Sequence, residues 1–365
     1  MISTNKFISI LEKKKINFFC GVPDSVLNSF VNGISKKKKI NITAPNEGSA
    51  VSAGIGYYLK TKKLPLIYFQ NSGIGNAADP LTSLTAKDSY SIPMVLLIGW
   101  RGSPNMKDEP QHKMMGRITL KMMKLFDIRT VVLKSDQDLK KMSKLISFSL
   151  KQKKPVALII ESKKFSKIKS LNNASVKNNS VFRPDAIECI LNNIKKKTKI
   201  ISTVGYTSRE LYQIKKNKNI TNGKTFLMIG GMGHTAMVSL GVEIYEKNDV
   251  VCLDGDGSFL MHLGGVATAA NYSKGKLKYV LFDNNCHESV GKHPTISGKL
   301  NFKKISEGFG FEKFFTIKNK NDLKKLPKYI NQKGTIFILI KTKIGSLNYL
   351  ERPSSLNEIK NKFMR

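Results

Sequence analysis

Short apolar runs rich in β-branched residues alternate along the chain with longer segments of helical spacing. In the first half, for example, a helix-like segment at Gly48–Lys60 precedes the strand-like run Leu64–Gln70. Regular alternation of this kind is typical of parallel sheets covered by helices on both faces, so the pattern predicts an α/β fold with doubly wound parallel sheets. The predicted strands of the first half are Phe18–Val22, Ile40–Ala44, Leu64–Gln70, Pro93–Gly99, Arg129–Leu133 and Pro155–Glu161.

A polar segment separates this series of runs from a second one. Residues 163–180 are rich in Asn, Ser and Lys and poor in large apolar residues, which is typical of a linker. Because 365 residues suffice for two domains, we predict a first domain over 1–162, a linker over 163–183 and a second domain over 184–365 with a C-terminal tail. The predicted strands of the second half are Lys199–Val204, Thr225–Ile229, Val250–Leu253, Tyr279–Phe282, Phe311–Ile317 and Thr335–Lys341.

Acid and amide residues end two of these predicted strands. The sequence Asp254–Gly257 follows one strand directly, and Asp283–Asn285 follows the next strand along the chain. Parallel strands end at the same edge of a sheet, where open α/β sheets bind ligands. Oxygen ligands suit a Mg²⁺ ion that also binds the oxygens of a phosphate group. The glycines beside Asp256 allow the backbone to approach this phosphate closely, and the following helix offers its N-terminus to it. Gly-Asp-Gly alone is ordinary turn chemistry, but the pair of endings favours a magnesium and phosphate site.

The two strand endings together resemble the diphosphate-binding signature of the thiamine diphosphate enzymes. Further motifs narrow the resemblance to the family of phosphonopyruvate decarboxylases, with the sulfopyruvate decarboxylases as its neighbours. These motifs are Gly21–Ser25, Gln70–Asn76, Gly99–Gly102, Asp108–His112, Gly233-His234, Met261-His262 and His287–Gly291. The similarity extends from about Phe18 to Thr295. It implies a first domain that binds the pyrimidine of the cofactor and a second domain that binds its diphosphate.

Glu47 is the candidate residue for activating the cofactor. It follows the predicted strand Ile40–Ala44, at the start of a predicted helix. The resemblance implies that its carboxyl group hydrogen-bonds the aminopyrimidine of thiamine diphosphate, which promotes loss of a proton from the thiazolium ring. The alternative is an acidic residue in a first helical turn, where a carboxylate is favourable with the helix dipole.

The resemblance also implies the ligands of the metal ion. Asp256 and Asn284 would bind Mg²⁺ together with the backbone carbonyl group of Cys286. Asn285 is the alternative to Asn284, because Asn284-Asn285 itself looks like the asparagine pair of these enzymes. Counting from the flanking histidine motifs favours Asn284.

Glycine-rich sequence completes the expected cofactor site. The resemblance makes Gly230 the backbone partner of the 4′-amino group and Met232 the bulky residue that holds the cofactor bent, although methionines are more often plain core residues. His234 would meet the diphosphate at the start of its helix. The other residues expected to contact the cofactor are Gly255, Gly257 and Ser258.

The histidines of the chain lie in or beside these motifs. His112 and His287 are the candidates for the proton transfer that follows loss of CO₂, because imidazole exchanges protons near neutral pH. His262 is expected to be a structural histidine within a helix. No group of His and Cys residues has the spacing of a zinc site.

The loop that follows the last of these motifs departs from the family pattern. The family has Gly-Gly-Gln-Pro-Thr there, whereas this chain has Gly291-Lys292-His293-Pro294-Thr295. Lys292 and His293 therefore either bind the phosphonate or sulfonate group of the substrate, or indicate a different substrate. Arg101 is a further candidate for that anion because a guanidinium group matches phosphonate geometry, although a surface or structural role for it stays open.

Composition argues against several other classes of protein. A net charge of +36 normally raises nucleic acid or an anionic membrane as a partner. The lysines are spread in short runs without an aromatic-interleaved stripe, so we expect solvated lysine faces and no nucleic acid. The glycines and the histidine of Thr225–Val242, the longest charge-free stretch of interest, argue against a membrane span. Four separated cysteines without a CxxC pair indicate reduced thiols in a cytosolic protein.

The resemblance implies a cytoplasmic carboxy-lyase that uses thiamine diphosphate and Mg²⁺ to convert 3-phosphonopyruvate into phosphonoacetaldehyde and CO₂, a step of phosphonate biosynthesis. It also implies a homo-oligomer that holds the cofactor between two subunits. Two alternatives from the same class are decarboxylation of sulfopyruvate or another 2-oxo acid, and condensation with an aldehyde. A nucleic-acid-binding protein would rest on the positive charge alone.

Overall fold

The structure is a computed structural model that describes residues 1–37, 39–104, 106–169, 181–353 and 355–365. It forms two compact units, Met1–Asn173 and Ala174–Arg365. Much of the predicted linker, residues 170–180, lies outside the described residues, so the domain boundaries stay a prediction. The described ends of this segment pair with the units, since Ile2 bridges to Phe165 and Val181 bridges to Thr342.

The first unit is built on a sheet of six parallel strands. Its spatial order is β2-β1-β3-β4-β6-β5. The strands are β1 Phe18–Gly21, β2 Ile40–Thr43, β3 Leu66–Gln70, β4 Val95–Trp100, β5 Arg129–Leu133 and β6 Val156–Glu161. The α-helices of this unit are α1 Thr4–Lys13, α2 Asn28–Lys36, α3 Glu47–Thr61, α4 Ile74–Asp79, α5 Pro110–Leu125 and α6 Leu139–Gln152.

The second unit repeats this architecture. Its six-stranded parallel sheet has the order β8-β7-β9-β10-β14-β13, which is the order of the first sheet when the strands are counted within each unit. The strands are β7 Lys199–Ser202, β8 Lys224–Leu227, β9 Val250–Gly255, β10 Leu277–Asp283, β13 Lys313–Ile317 and β14 Ile336–Lys341. A separate antiparallel hairpin consists of β11 Cys286–His287 and β12 His293–Pro294.

Nine further α-helices are described in the second unit. Among the described residues of both units, no helix combines the length and the apolar character needed to cross a membrane. The helices are α7 Arg183–Asn193, α8 Tyr206–Asn217, α9 Thr235–Glu243, α10 Asp256–Met261, α11 Leu263–Tyr272, α12 Phe302–Gly308, α13 Lys320–Leu323, α14 Leu326–Ile330 and α15 Leu356–Met364.

The central strands of both sheets are buried on both faces, which explains why they are continuous apolar runs. In β14, Ile336, Ile338 and Ile340 belong to one hydrophobic core. The intervening residues Phe337 and Leu339 belong to a second core. Successive side chains of a strand point to opposite faces, so a strand with helices on both sides must be apolar at every position.

All twelve predicted strands are present with ends shifted by a few residues, and the predicted α/β fold with two doubly wound parallel sheets is confirmed. The helices were predicted less well. The spacing of apolar residues over 321–331 predicts one helix, but the segment forms α13 and α14 because Pro327 has no N–H group to donate inside a helix. The β11–β12 hairpin was not predicted, since two-residue strands leave no periodic pattern.

Replacement of Phe337 by alanine tests the core of the second unit. Its ring is fully buried and packs against five aromatic rings at centroid distances of 5.1–6.5 Å. Phe337→Ala should therefore lower the free energy of unfolding by about 3–5 kcal/mol in urea denaturation. Tyr349→Ala is the control because Tyr349 is 95% exposed. Equal losses in the two variants would contradict this packing.

Candidate active site

The candidate site of the second unit lies at the carboxyl edge of its sheet, where the strand order reverses. The chain leaves β7 toward β8 on one side and leaves β9 toward β10 on the other. This arrangement opens a crevice between β7 and β9, where α/β sheets bind ligands. Asp256 follows β9, Asn284 follows β10, and Thr203 follows β7 with its hydroxyl group 3.0 Å from Ser258 Oγ.

Asp256 is a buried carboxyl group at the first position of α10. Its Oδ2 accepts hydrogen bonds from the hydroxyl groups of Thr295 at 2.6 Å and Ser297 at 3.2 Å. Burial, reinforced by the nearby carboxylate of Asp283, raises the pKa of Asp256 to about 7, against the pull of these hydroxyl donors. A carboxylate in this position lacks the positive charge that would offset its loss of water.

The surroundings of Ser297 show that this edge has an excess of acceptor oxygens. Ser297 Oγ lies 2.7 Å from Asp283 Oδ1, 2.9 Å from Asn285 Oδ1 and 3.2 Å from Asp256 Oδ2, although a hydroxyl group has one proton to donate. Lys341 pairs with the other oxygen of Asp283. A divalent cation on Asp256 would balance the remaining charge, so these residues fit the Mg²⁺ expected from the sequence.

The two candidate asparagines have different surroundings. Asn285 has a φ of +60°, and its side-chain oxygen is bonded to Ser297. Asn284 Oδ1 accepts the backbone N–H of Cys286 at 3.2 Å, and its Nδ2 donates to Glu288 at 2.9 Å. Asn285 is thus a left-handed turn residue, a role that asparagine tolerates well. These contacts favour Asn284 as the ligand, and the ligand set Asp256, Asn284 and Cys286 stays a prediction.

Few negatively charged residues take part in this set. Among the residues that the structure describes, no group of three or more His, Cys, Asp or Glu side chains is arranged to hold a metal ion. A site built from one carboxylate, one amide oxygen and one carbonyl group is compatible with that finding. Such a set leaves coordination positions for phosphate oxygens, as Mg²⁺ sites usually do.

A buried hydrogen-bond network fixes the glycine-rich loop Gly230–Gly233. Ser258 Oγ accepts the backbone N–H of Gly233 at 3.0 Å and also the hydroxyl group of Thr203. Tyr279 donates its hydroxyl to the buried carboxylate of Asp254 at 2.7 Å, and Ser258 donates to the same carboxylate. The Ser258 hydroxyl expected to meet the cofactor is therefore used inside the fold, where it holds the loop in place.

Met232 and His287 meet above Gly257. A Cβ atom on Gly257 would lie 2.6 Å from the ring of His287 and 3.3 Å from Met232 Cε, so only glycine fits there. Met232 is half-buried, which distinguishes it from a plain core methionine. Burial, with a smaller contribution from His293, lowers the pKa of His287 to about 4, so this imidazole is neutral at physiological pH.

The altered loop forms the turn of the β11–β12 hairpin. His287 and His293 are opposite each other in the two strands. His293 is buried and burial lowers its pKa, whereas Lys292 is exposed. Both are candidates to bind the anionic group of the substrate, but the lowered pKa of His293 makes its imidazole a neutral partner at neutral pH. Their role toward the substrate stays a prediction.

His234 and His262 stack on each other, with ring centroids 4.6 Å apart and an interplanar angle of 22°. The expectation that His262 lies within a helix is wrong, because α10 ends at Met261 and α11 begins at Leu263. Its extended backbone, with φ −141° and ψ 64°, interrupts the helical hydrogen bonds there. Burial lowers the pKa of His262, and His234 adds to that effect.

In the first unit, Glu47 is the first residue of α3 and is buried. Its Oε2 accepts a hydrogen bond from Asn76 Nδ2 at 2.8 Å. A Cβ atom on Gly73 would lie 2.2 Å from Glu47 Oε1, so that glycine makes room for the carboxyl group. Burial raises the pKa of Glu47. A carboxyl group with a raised pKa is suited to share a proton with a heterocyclic nitrogen, as expected of this residue.

Arg101 lies in a second cluster of the same unit. Its Nε and Nη2 donate to the carboxylate of Asp108 at 2.7 and 2.6 Å, and its Nη1 lies 3.4 Å from Ser25 Oγ. Two of its donor nitrogens already bind Asp108, so this carboxylate competes with a substrate anion for Arg101. Burial and the charge of Arg101 lower the pKa of the candidate His112.

Asp24 is a residue in this cluster that the sequence analysis did not select. It is buried, and its Oδ1 has no hydrogen-bond partner among the described residues. Burial raises the pKa of Asp24 to about 6 against the opposing charge of Arg101. Its position in the Gly21–Ser25 motif was the only available signal. Thr295 ends the loop that resembles the family pattern, but no sequence signal pointed to its contact with Asp256 or to Ser297.

Comparison with known proteins agrees with this geometry. Residues 3–123 match the family model for the N-terminal TPP binding domain of thiamine pyrophosphate enzymes, and residues 203–340 match the model for the C-terminal TPP binding domain. The fold and the site thus define a thiamine diphosphate-dependent enzyme.

Curated relatives narrow the class further. A phosphonopyruvate decarboxylase of Streptomyces hygroscopicus is 31% identical over 97% of this chain and 90% of its own length. The phosphonopyruvate decarboxylase of Streptomyces viridochromogenes is 30% identical over 97% of the chain and 91% of its own length. Sulfopyruvate decarboxylase subunit beta of Methanothermobacter thermautotrophicus is 32% identical over 50% of the chain and 94% of its own length.

The chain belongs to the thiamine diphosphate-dependent 2-oxo acid decarboxylases, in the family of the phosphonopyruvate decarboxylases and their sulfopyruvate-decarboxylating relatives. It is therefore an enzyme, a carboxy-lyase that uses thiamine diphosphate.

The buried charge of Asp256 predicts a pH effect on the protein without its cofactor. Folding raises the pKa of Asp256 from 3.8 to about 7. The folded state therefore holds this proton more tightly, and the resulting stabilisation, fully present below 3.8, is lost as the pH rises through about 7. Asp256→Asn should melt at least about 2 °C above wild type at a pH above 7 and lose this advantage in acid.

Differential scanning calorimetry over the pH range measures this difference. Asp185→Asn, an exposed aspartate in the same unit, is the control and should follow the wild-type profile. If Asp256→Asn melted below wild type at high pH, the carboxylate would be compensated within the protein, and the argument for a cation there would fail.

Proposed function

We propose that this enzyme decarboxylates 3-phosphonopyruvate to phosphonoacetaldehyde and CO₂, with thiamine diphosphate and Mg²⁺ as cofactors. The observation that carries the substrate assignment is that two phosphonopyruvate decarboxylases match the chain over 97% of its length. The candidate sites support it, because Glu47 in one unit and Asp256 in the other are buried acids of the kinds that this cofactor requires. We infer that the reaction belongs to phosphonate biosynthesis.

Glu47 would bind the pyrimidine ring of the cofactor. Its buried carboxyl group is held by Asn76 and has a raised pKa, so it can donate or share a proton with a ring nitrogen. When bound, thiamine diphosphate supplies the electron sink that accepts the electron pair of the breaking carbon–carbon bond. Met232 lies next to Gly257 and His287, where it would support the bent form of the cofactor, and Gly230 would offer its backbone to the amino group.

Asp256, Asn284 and the carbonyl group of Cys286 would hold Mg²⁺, which in turn would hold the diphosphate. Gly255 has open space where a Cβ atom would lie, which leaves room for phosphate oxygens, whereas Gly257 makes room for His287 and Met232. Helix α10 begins at this point, so its N-terminal N–H groups are available to the anion. His234, exposed at the N-terminal end of α9, would contact the same group.

The reaction replaces CO₂ by one proton, so a side chain must deliver that proton. His112 and His287 are our candidates, and loss of contact with water lowers the pKa of both, although His112 is only half-buried. A neutral imidazole holds one N–H hydrogen and one free lone pair, so it can pass a proton on without first being charged. Lys292 would hold the phosphonate through its charge, with His293 as a neutral hydrogen-bond partner and Arg101 as a further candidate.

Oligomer formation is part of the proposal. Its support is that relatives of this chain are named as subunits of sulfopyruvate decarboxylase. The family resemblance implies a homo-oligomer in which Glu47 of one subunit and Asp256 of another serve the same cofactor.

Sulfopyruvate is the second candidate substrate. Relatives named sulfopyruvate decarboxylase include a protein of Methanosarcina acetivorans that matches 98% of the chain at 22% identity. A sulfonate carries one negative charge at neutral pH, whereas a phosphonate carries more, so a site with an added lysine favours the phosphonate.

A comparison of substrates tests the proposed function. CO₂ release should be measured with thiamine diphosphate and Mg²⁺ on phosphonopyruvate, sulfopyruvate and pyruvate in parallel. We expect the highest kcat/KM with phosphonopyruvate, because the dianionic group has the strongest attraction to Lys292. A preference for sulfopyruvate would overturn the substrate assignment, and products formed only with an added aldehyde would indicate a condensing enzyme.

The role of Glu47 can be tested separately. Glu47→Gln should keep the affinity for thiamine diphosphate close to wild type but lower kcat by about 10²–10⁴-fold, since an amide cannot share the proton. Glu161→Gln is the matched control, because Glu161 is the other buried glutamate described in this unit. Wild-type turnover in Glu47→Gln would exclude the assigned role.

A further inference from the structure

A buried cluster of three charged side chains lies beside the predicted metal ligand Asn284. Arg183, the first residue of α7, donates to Glu210 of α8 through Nε at 2.6 Å and Nη2 at 3.1 Å. Its Nη1 donates to Glu288 Oε2 at 3.0 Å. The side chains of Arg183, Glu210 and Glu288 are 6%, 0% and 6% exposed. One cation thus serves two carboxylates in the interior of the second unit.

Glu288 connects this cluster to Asn284. Its Oε2 accepts both Arg183 Nη1 and Asn284 Nδ2, the latter at 2.9 Å. Its Oε1 accepts the backbone N–H of Gly345. An ionised carboxylate can only accept hydrogen bonds, so the amide group of Asn284 must turn its nitrogen toward Glu288. The amide oxygen of Asn284 is consequently directed away from Glu288.

The side-chain oxygen of Asn284 can bind a cation. Asn284 Oδ1 accepts the backbone N–H of Cys286 at 3.2 Å. The Cys286 thiol also donates to this oxygen, at 3.5 Å. A thiol is a weak donor, so a cation can take its place on the second lone pair of Asn284 Oδ1. The bond from the Cys286 N–H also holds the turn that carries the carbonyl group of Cys286, the predicted backbone ligand. Without Glu288, the amide group could rotate and present NH₂ where an oxygen is needed.

We propose that Glu288, itself held by Arg183, is a positioning residue that orients the amide oxygen of Asn284 toward the divalent cation. This inference rests on the proposed function, in which Asn284 is a metal ligand. The cluster has one positive and two negative charges, so it also leaves one negative charge buried near the cation site. Both effects, the fixed amide and the local charge, raise the affinity for Mg²⁺.

The C-terminal segment closes this cluster. Besides the bond from Gly345 to Glu288, Leu347 donates its backbone N–H to Glu210 Oε1 at 3.3 Å. Gly345 has a φ of +137°, a conformation that favours glycine over all other residues. The segment after β14 therefore contributes to the geometry of Asn284 although it contains no predicted ligand.

Glu288→Gln tests the proposal. In the variant, an NH₂ group replaces one of the two carboxylate oxygens of Glu288. This NH₂ group must face either the N–H of Gly345 or the N–H groups of Arg183 and Asn284. No orientation satisfies all three donors. The fold should survive, because Arg183 keeps its bonds to Glu210 and the unbalanced buried charge is removed. We expect the Mg²⁺ concentration for half-maximal thiamine diphosphate binding to rise about 10–100-fold.

Isothermal titration calorimetry of thiamine diphosphate at a series of Mg²⁺ concentrations gives this midpoint without reference to turnover. Saturating Mg²⁺ should restore wild-type cofactor affinity, a recovery that a merely misfolded variant would not make. Glu243→Gln is the matched control, because Glu243 is fully buried and accepts backbone bonds from Lys274 and Lys276, before the amino end of β10. It should lower the melting temperature and leave the Mg²⁺ midpoint unchanged.

Three outcomes would overturn the proposal. A folded Glu288→Gln with the wild-type midpoint would exclude a positioning role, and an equal shift in Glu243→Gln would reduce the effect to general destabilisation. Thiamine diphosphate binding by wild type without any need for Mg²⁺ would instead remove the proposed metal site itself. If Glu288→Gln does not fold, Arg183→Lys serves in its place. It keeps the charge but loses the fork that directs Glu288, so a rise of the midpoint is again expected.

Discussion

Two aspartate carboxylates that share one serine hydroxyl determine the character of the second unit's sheet edge. Asp256 follows β9 and Asp283 is the last residue of the neighbouring strand β10. Both carboxylates lie within hydrogen-bond distance of Ser297 Oγ. Because β9 and β10 are parallel, their carboxyl ends lie at the same edge of the sheet. The positive charge of Lys341 compensates the negative charge of Asp283 only. The fold thereby places an uncompensated carboxylate in a dry environment, where its charged form is costly. A bound divalent cation would stabilise the charged form of Asp256, which burial destabilises. The architecture of this edge therefore favours a metal ion.

The two units use one strand order for different chemistry. In each sheet the strand order reverses between the first and third strands of the unit, and each unit has buried polar groups near that point. In the first unit these groups are carboxyl groups that can hold or share a proton, namely Glu47 and Asp24. In the second unit they are oxygen atoms and glycines that fit the anion and metal proposed above. In the proposed function, the duplicated architecture would supply one of these two functions in each unit.

Much of the fold follows from the sequence, but the contacts that complete the site do not. The central strands could be predicted because both of their faces are buried, which makes nearly every position of such a strand apolar. Asp256 could be selected because it directly follows a strand, and Glu47 because it lies between a strand and a helix where the sequence resembles the family. Their partners could not, since Thr295 and Ser297 approach Asp256 from a loop about 40 residues away, and local patterns contain no record of such contacts. The break at His262 likewise depends on tertiary packing.

The most direct test of the account is the position of the metal ion. A crystal structure of the enzyme with thiamine diphosphate and Mn²⁺ in place of Mg²⁺ would locate the ion by its anomalous scattering. The account predicts a single strong peak bound by Asp256, the side-chain oxygen of Asn284 and the carbonyl oxygen of Cys286, with the pyrimidine ring of the cofactor against Glu47. A metal bound by Asn285, or one that does not contact Asp256, would contradict it.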